Sequence, residues 1–413
     1  MEDSGKQLID INVQKTIKLV GNTTQTEFEL LEYTYGALAE DKNNPLSCVS
    51  VSNSSLSIDI WKGCTWQCRY CHVQGTFQDL NDIGMMPTKP IKRSNFSISQ
   101  VIDALVKHPF FIANNSIISI GTASTEPFAK GEVCESTFQI MEELTKRGYK
   151  NPFWIVTKAG FPIEYKERLS KITSMSKGVM ISVCWASNPK HIEPVNNQRF
   201  KYVMEAKQAG AWVSWYFRPI VLDWHSKDLS TLIDAINLVC NRYSEYIDVV
   251  VPGGLRWTEG IEYGLTEVHN ISMPEIPRTD NQKFFPEDVL NLILSLLKEK
   301  FQNKPVYLKS SCALSYMLKS PSITSVQVFA KTECNISNCP SNQRGVCSNG
   351  SIFNLTTEKA QEELSRLKVP LKAVSWDLST GLITEPSLNA VSYGVRQTVY
   401  KQLAGTLTDQ NER

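Results

Sequence analysis

Six short apolar segments alternate with five segments of helical spacing between residues 56 and 251. The apolar segments predict strands at residues 56–61, 116–121, 153–157, 179–184, 212–217 and 247–251. Between them, apolar residues recur at helical spacing over residues 98–107, 133–147, 163–172, 199–209 and 229–239. Short strands that alternate with amphipathic helices are typical of parallel βα units. The sequence therefore predicts an α/β domain built on a parallel sheet.

Three cysteines follow the first predicted strand directly. Cys64, Cys68 and Cys71 lie in Trp-Lys-Gly-Cys-Thr-Trp-Gln-Cys-Arg-Tyr-Cys-His, residues 61–72. Three thiolates on one short loop can hold three irons of a cubic [4Fe–4S] cluster, which leaves the fourth iron open to a small molecule. Half of a zinc site is one alternative, although such sites usually show paired Cys-x-x-Cys or Cys/His knuckles. Chance spacing is the other, because the chain has 11 cysteines.

The cysteine motif and four later segments resemble the radical S-adenosylmethionine (SAM) superfamily over residues 55–255. Their order is similar to the branch related to spore photoproduct lyase. The later segments are Gly121-Thr122-Ala123-Ser124-Thr125-Glu126-Pro127, Thr157-Lys158-Ala159-Gly160, Ser182-Val183-Cys184 and Arg218-Pro219-Ile220. The resemblance implies a partial (β/α)6 barrel of the TIM type, with its site at the C-terminal ends of the strands. It also implies a SAM-binding [4Fe–4S] cluster and SAM as cofactors.

The same resemblance implies a reaction. The reduced cluster would pass one electron to the SAM sulfonium, and the 5′-deoxyadenosyl radical so formed would remove a hydrogen atom from an organic substrate. The cofactors would carry the difficult chemistry, while the protein would orient the reactants and exclude water.

Five further residues acquire expected roles from the resemblance. Glu126 would accept from the SAM ammonium, Lys158 would pair with its carboxylate, and Ser182 would hydrogen-bond its ribose. Arg218 would reach the SAM carboxylate or a substrate anion. Cys184, at the end of the fourth predicted strand, would donate a hydrogen atom to a product radical. The structural alternatives are a solvated Glu126, a solvated Lys158, a capping hydroxyl at Ser182 and an ion pair at Arg218.

A second group of cysteines lies towards the C-terminus. Cys334, Cys339 and Cys347 fall within fourteen residues of a polar segment, and Cys312 lies upstream. Four thiolates suit an auxiliary [4Fe–4S] cluster or a structural zinc ion, and unligated thiols are the third possibility. We favour a second cluster. This region departs from spore photoproduct lyase, which weakens a DNA-repair interpretation.

Charge and hydropathy exclude some classes of partner. The 43 basic and 42 acidic residues give a net charge of +1, so the chain as a whole does not attract nucleic acid or anionic membrane. The N-terminus lacks a signal peptide, and no apolar run is long enough to span a membrane. We therefore expect a cytoplasmic protein, in which cysteines serve metal or redox chemistry rather than disulfides.

The predicted organisation has five parts. An N-terminal extension covers residues 1–50, the partial barrel 51–255, an insertion and helix 256–303, the auxiliary cluster region 304–350, and a partly helical C-terminal region 351–413. Residues 260–285 are predicted to be rich in loops, and 305–309 to form a strand. C-terminal helices are predicted at 357–367 and 388–403.

The sequence thus predicts a radical SAM enzyme with two clusters. Its expected substrate is a peptide or a small molecule such as a natural-product intermediate, and its expected electron donor is of flavodoxin or ferredoxin type. A nucleotide or nucleotide-sugar substrate is the main competitor, followed by a DNA lesion. A non-catalytic iron–sulfur carrier or a zinc-stabilised module is the alternative from another class.

Overall fold

The computed structural model describes most of the chain in thirteen stretches. They are residues 15–21, 24–30, 43–51, 55–73, 84, 87–108, 111–193, 199–276, 286–302, 304–320, 339–348, 374–377 and 381–384. Its strands are β1 (Lys15–Gly21), β2 (Thr24–Leu30), β3 (Val49–Val51), β4 (Leu56–Ile58), β5 (Trp61–Lys62), β6 (Ile91–Lys92), β7 (Ile118–Ile120), β8 (Phe153–Thr157), β9 (Val179–Cys184), β10 (Trp212–Tyr216), β11 (Val249–Val250), β12 (Val374–Asp377) and β13 (Gly381–Thr384). Its α-helices are α1 (Ile98–Lys107), α2 (Glu132–Lys146), α3 (Lys166–Met175), α4 (Val203–Gln208), α5 (Ser230–Tyr243), α6 (Glu259–Tyr263), α7 (Glu287–Lys300), α8 (Ser310–Met317) and α9 (Ser341–Ser348).

A seven-stranded sheet forms the centre of the molecule, in the order β11-β10-β9-β8-β7-β4-β3. The six strands from β4 to β11 are parallel to their neighbours, and only β3 pairs antiparallel, with β4. Every residue of β9 is buried, as expected for a parallel strand that is covered on both faces. The prediction of an α/β domain with a mostly parallel sheet is confirmed.

Described residues show no closed barrel, because β3 and β11 lie at opposite edges of the sheet. The strand predicted at residues 305–309 is reduced to a single parallel bridge between Val250 and Val306. The Val250 N–H donates to the Pro305 carbonyl at 3.0 Å, and its carbonyl accepts from the Tyr307 N–H at 2.9 Å. This segment extends the sheet by one short contact beyond β11.

The two faces of the sheet pack against different partners. Side chains alternate along a strand, and Val179, Ile181 and Val183 of β9 pack in the large core with the surrounding helices. Met180 lies on the opposite face, in a smaller cluster with residues of α8 such as Met317. Ser182 and Cys184 share the pleat of Met180 and therefore lie on this second face.

Capping residues explain the best-predicted helix. Helix α1 has the predicted bounds because Ser97 and Gln100 form a capping box, in which each side chain bonds the backbone of the other. The helix predicted at 163–172 begins as a 3-10 turn, Ile163–Tyr165, and continues as α3. Of the helix predicted at residues 199–209, only Val203–Gln208 is helical, as α4.

Three peripheral regions extend or correct the predictions. The N-terminal extension contains the β1–β2 hairpin. The insertion predicted as loop-rich begins instead with α6 and a π-helix at Gly264–Val268. In the C-terminal region the described residues form the β12–β13 hairpin, and the helices predicted there fall outside the described residues. Among the described helices, none has the length and apolar character needed to cross a bilayer.

Candidate metal centre

The cysteine loop begins directly after β5 and is held at the C-terminal edge of the sheet. Gly63 has φ +104°, and a Cβ at this position would lie 2.6 Å from the Pro87 carbonyl oxygen. Only glycine tolerates both conditions. The Gly63 N–H donates to the Ser124 carbonyl at 3.2 Å, and the Cys64 N–H to the Pro87 carbonyl at 3.0 Å. The loop is therefore fixed to the segment that follows β7 and to the residues just before β6.

The three thiols of the motif lie close enough to influence one another. The pKa of Cys64 is raised to about 12, mainly by burial and then by the charges of Glu126 and Cys71, while the N–H groups of Trp66 and Glu126 oppose the rise. Burial also raises the pKa of Cys68 well above its ordinary value, and Cys64 and Cys71 add to the effect. Without a metal these groups are protonated thiols, so binding a metal as thiolates would release protons.

Apolar side chains cover the cysteine loop. Cys68 and Tyr70 pack with Leu255, Ile261 and Leu265, from the segment that leads into α6 and the π-helix. The Tyr70 ring also stacks on Trp224, with centroids 5.3 Å apart. The insertion thus shields the loop from water, which strengthens electrostatic interactions beneath it.

A buried network of charges adjoins the motif. Glu193 is 2% exposed and accepts from Lys158 Nζ at 2.9 Å and from Arg199 Nη1 on one oxygen. Its other oxygen accepts from the Tyr70 hydroxyl and from Asn188 Nδ2 at 3.2 Å. Arg199 also donates to the Cys184 carbonyl at 2.7 Å. The network connects the cysteine loop with the C-terminal ends of β8 and β9.

The network contains more positive than negative charge. Burial alone would raise the pKa of Glu193, but the charges of Lys158 and Arg199 and hydrogen bonds from Tyr70 and Arg199 hold it at about 2. One carboxylate therefore faces two cations. Lys158 lowers the pKa of the Cys68 thiol and Glu193 raises it, while the charge of Glu126 raises the pKa of Cys64.

Glu126 is buried and Lys158 is partly buried in an ion pair, which contradicts the solvated alternatives. The Lys158 side chain is 19% exposed and ion-paired to Glu193. Glu126 accepts from the N–H groups of Phe128 at 3.1 Å and Lys158 at 2.7 Å, and from the Thr157 hydroxyl at 2.6 Å. Burial raises the pKa of Glu126 despite these bonds. Glu126 thereby ties the segment after β7 to the end of β8.

Ser182 is deeply buried within β9 rather than at the strand end, which corrects the capping alternative. Its side chain is 1% exposed, and its hydroxyl oxygen accepts from Trp154 Nε1 at 2.9 Å. The Ser182 hydroxyl, which was expected to bond a ribose, therefore already accepts a hydrogen bond from the Trp154 indole.

This bond predicts a stability effect. Ser182→Ala is expected to lower the free energy of unfolding by about 1–3 kcal/mol, because it leaves a buried indole N–H without an acceptor. Adding Trp154→Phe removes the unpaired donor, so the double variant should lose less than the sum of the two single losses. Denaturant unfolding of all four proteins measures the coupling, and additive losses would contradict it.

Arg218 forms no ion pair with any carboxylate of the described residues, so the ion-pair alternative is wrong for this part of the chain. Its guanidinium donates to the Pro252 and Leu308 carbonyls and to the Tyr216 hydroxyl, at 3.3, 2.6 and 2.9 Å. A Cβ on Gly253 would lie 2.5 Å from its Nε. Arg218 thus adds a buried positive charge at the C-terminal end of β10.

Cys184 lies where the prediction places it, at the end of β9 and beside both Lys158 and Arg218. It is 6% exposed, and its Sγ donates to the Arg218 carbonyl at 3.3 Å. Burial raises the pKa of this thiol, although Lys158 opposes the rise. The group therefore keeps its S–H at neutral pH.

The structure describes three of the four cysteines in the second group, and Cys334 lies outside the described residues. Cys312 on α8 and Cys339 before α9 pack in one apolar cluster with Tyr307, on the second face of the sheet. Cys339 Sγ lies 3.9 Å from the Tyr307 hydroxyl, and Cys347 Sγ accepts from Gln343 Nε2 at 3.5 Å.

The described ranges contain no site for a single metal ion. No three histidine, cysteine, aspartate or glutamate side chains there are placed to share one metal ion. A cubic cluster is a different arrangement, because each thiolate binds its own iron.

Sequence reasoning missed the centre of the buried network. Glu193, Arg199 and Asn188 all lie in the connection between β9 and α4. The available signal was the position of this connection, since residues that follow parallel strands gather at one edge of the sheet.

Comparison with known proteins does not assign the chain. No protein-family model matches it, and no curated protein matches it either.

Proposed function

We propose that this chain is a radical SAM enzyme that binds a [4Fe–4S] cluster through Cys64, Cys68 and Cys71 and uses SAM as cofactor. One observation carries the proposal. The three thiols follow the first parallel strand at the sheet edge where Lys158, Cys184 and other polar residues also gather. We also propose that the six parallel strands form a partial (β/α)6 barrel.

The residues present fit such a cluster. The donor set is three thiols on one loop, none of them in a disulfide, of which Cys68 is buried and the other two are partly buried. Thiolates at a buried site need positive charge nearby, and the Lys158–Glu193–Arg199 network supplies one surplus charge. When bound, the reduced cluster and SAM would supply a 5′-deoxyadenosyl radical that removes a hydrogen atom from the substrate.

The chain's own residues would orient SAM and exclude water. We assign Glu126 to the SAM ammonium, Ser182 to the ribose, and Lys158 and Arg218 to the carboxylate. The backbone N–H of Lys158 donates to the Glu126 carboxylate. The two residues are therefore neighbours at the proposed SAM site. Because Ser182 bonds Trp154, contact with a ribose would require the hydroxyl to turn its own proton outward.

Cys184 is the proposed hydrogen-atom donor, because its buried thiol retains the S–H that such a step consumes. Without substrate the 5′-deoxyadenosyl radical replaces the product radical as acceptor, so in D2O the exchanged thiol should place solvent-derived deuterium in the 5′-deoxyadenosine. Cys184→Ala is expected to lose most of that deuterium while total 5′-deoxyadenosine changes little. Mass spectrometry of the product measures both quantities.

Cys240→Ala is the matched control for this experiment. Cys240 lies on α5 and donates to the Lys300 carbonyl at 3.0 Å, in contact with α7 rather than the cysteine loop. Its variant should incorporate deuterium as the parent does. Equal incorporation in the Cys184 and Cys240 variants would contradict the donor role.

We further propose a second [4Fe–4S] cluster on Cys312, Cys334, Cys339 and Cys347. The support is that Cys312 and Cys339 belong to one buried apolar cluster although they are 27 residues apart in sequence. No disulfide joins the described cysteines, which supports a cytoplasmic location. The proposed electron donor is of flavodoxin or ferredoxin type. The proposed substrate is a peptide or another small organic molecule, with nucleotides as competitor.

The test is anaerobic. The protein is reconstituted with iron and sulfide, and 5′-deoxyadenosine formation from SAM is measured with dithionite as reductant. Formation of 5′-deoxyadenosine supports the proposal. An iron-loaded protein that forms none would instead indicate an electron carrier, and a colourless protein that binds zinc would indicate a zinc-stabilised module.

A further inference from the structure

Two buried polar side chains contact sulfurs of the second cysteine group. Gln343 Nε2 donates to Cys347 Sγ at 3.5 Å, and the Tyr307 hydroxyl lies 3.9 Å from Cys339 Sγ. Gln343 is 4% exposed, and Tyr307 is fully buried. Glutamine side chains are mostly exposed in proteins, so a buried amide beside a thiol is an unusual feature of this site.

The orientation of the Gln343 amide is fixed by a second hydrogen bond. Its Nε2 also donates to the Ser320 carbonyl at 2.9 Å. A carbonyl can only accept, so the nitrogen of the amide, and not its oxygen, has to face Ser320. The Ser320 N–H in turn donates to the Ser315 carbonyl at 3.0 Å, which holds Ser320 to the C-terminal end of α8. The amide nitrogen is therefore also the atom that reaches Cys347 Sγ.

Gln343 joins the two helices that carry proposed ligands. Gln343 and Cys347 lie four residues apart on α9 and therefore share one face of that helix. The bond to Ser320 connects this face to the end of α8, and α8 carries Cys312. One side chain thus ties together two segments that are distant in sequence and that would both supply thiolates to the second cluster.

Tyr307 is held beside another cysteine of the group. Its N–H donates to the Val250 carbonyl at 2.9 Å, which fixes its backbone next to β11. Its ring packs in the apolar cluster that contains Cys312 and Cys339, with its centroid 6.0 Å from that of Tyr316. The Tyr307 hydroxyl thus brings a polar group to Cys339 within apolar surroundings.

Both contacts become stronger when the cysteines bind a metal. As a thiol, Cys339 donates to the Tyr307 oxygen, and Cys347 is only a weak acceptor for Gln343. A metal-bound cysteine is a thiolate, and hydrogen bonds to an ionised group are roughly twice as strong as those between neutral groups. The Gln343 N–H and the Tyr307 O–H would then both donate to thiolates. The contacts therefore favour the metal-bound form of the site over the thiol form.

We propose that Gln343 and Tyr307 position Cys347 and Cys339 as metal ligands and donate hydrogen bonds to their sulfurs in the metal-bound protein. This inference rests on the proposed function, because it requires an iron–sulfur cluster on the second cysteine group. Hydrogen bonds to the sulfurs are one of the factors that set the reduction potential of such a cluster. The positive end of each N–H or O–H dipole stabilises an added electron, so the two donors raise the potential.

The test isolates the second cluster. Cys64, Cys68 and Cys71 are replaced by alanine in the full chain, which is then reconstituted with iron and sulfide. Gln343→Met or Tyr307→Phe is added to this background, and each removes the donor while nearly conserving the volume. The chelator concentration that removes half of the iron should fall by about tenfold or more, since losing a residue that bonds a metal ligand costs about 10–100-fold in metal affinity.

The reduction potential separates this role from a merely structural one. The potential of the remaining cluster is measured by a redox titration followed by electron paramagnetic resonance. It should shift to more negative values in Gln343→Met and in Tyr307→Phe, compared at equal iron content. Loss of the bond between Gln343 and Ser320 would by itself lower stability but would leave the potential unchanged.

Gln139→Met and Tyr149→Phe are the matched controls. Gln139 is exposed on α2 and donates to Glu135, and the Tyr149 ring packs on Phe111. These variants make the same chemical changes away from the second cysteine group. They should leave both the iron retention and the reduction potential at the values of the background protein.

The outcomes separate this inference from the proposed function. If both variants match the controls, the roles of Gln343 and Tyr307 are overturned while the second cluster stands. An effect in only one variant would overturn the role of the other residue. If the background protein holds no iron, the second cluster is overturned and this inference with it. SAM cleavage by the parent protein, measured separately, tests the first cluster in either case.

Discussion

Replacing Cys64, Cys68 and Cys71 together with alanine is expected to abolish SAM cleavage. Iron in the reconstituted protein should fall from about eight to about four atoms per chain, because one of two [4Fe–4S] clusters loses its protein ligands. Iron analysis and a 5′-deoxyadenosine assay with dithionite measure the two effects. The loop is held mainly by backbone bonds of Gly63 and Cys64, so alanine should leave its path intact.

Cys240→Ala serves as control here also, since Cys240 bonds a carbonyl at the end of α7. It should retain both the iron and the activity. Circular dichroism checks that the triple variant is folded. A folded triple variant with the iron content of the parent protein would contradict the assignment of these cysteines as ligands.

Removing the charge of Glu193 is expected to have the largest effect on stability. Glu193→Gln should lower the free energy of unfolding by about 3–5 kcal/mol, the usual loss when one partner of a buried ion pair is removed. Lys158 and Arg199 would then be buried without a counter-charge. Denaturant unfolding of the metal-free protein at neutral pH measures the loss.

The pH dependence of this loss has a definite sign. The folded-state pKa of Glu193 is about 2, below its ordinary value of 4.5. Its stabilising contribution is therefore complete above pH 4.5 and disappears as the pH falls towards 2. The difference in stability between the parent protein and Glu193→Gln should shrink over that interval.

Two further variants make the result specific. Lys158→Met added to Glu193→Gln removes one unpaired cation and should recover part of the stability. Glu135→Gln breaks a pair with Arg168 on the surface, where the glutamate is 40% exposed, and should cost less than about 1 kcal/mol. Equal losses in the Glu193 and Glu135 variants would contradict the importance assigned to the buried network.

The buried network also ties the charge of Lys158 to the cysteine loop. Lys158 donates to Tyr70 at 2.7 Å as well as to Glu193. Tyr70 belongs to the cysteine loop itself. The surplus charge is therefore fixed to the loop by a hydrogen bond, so its electrostatic effect does not require a mobile side chain to become ordered.

The sequence determined those strands and helices whose bounds depend on residues close by in the chain. The bounds of β8 and β9 were predicted to the residue, because both are short, mainly apolar runs that begin after polar or glycine-containing turns. The capping box at Ser97 and Gln100 likewise explains why the bounds of α1 were predicted to the residue. The cysteine spacing and the position of the loop after the first parallel strand were likewise visible without coordinates.

Tertiary structure decided which partner each polar residue has. Arg218 bonds backbone carbonyls up to 90 residues away, and a carbonyl has no signature in sequence. Glu193 joins Lys158, which lies 35 residues earlier and on a neighbouring strand end. The sequence by itself thus determined the strands, the helices and the candidate ligands, because these depend on spacing and neighbouring residues. Burial and the partners of the buried charges depend on segments that only folding brings together.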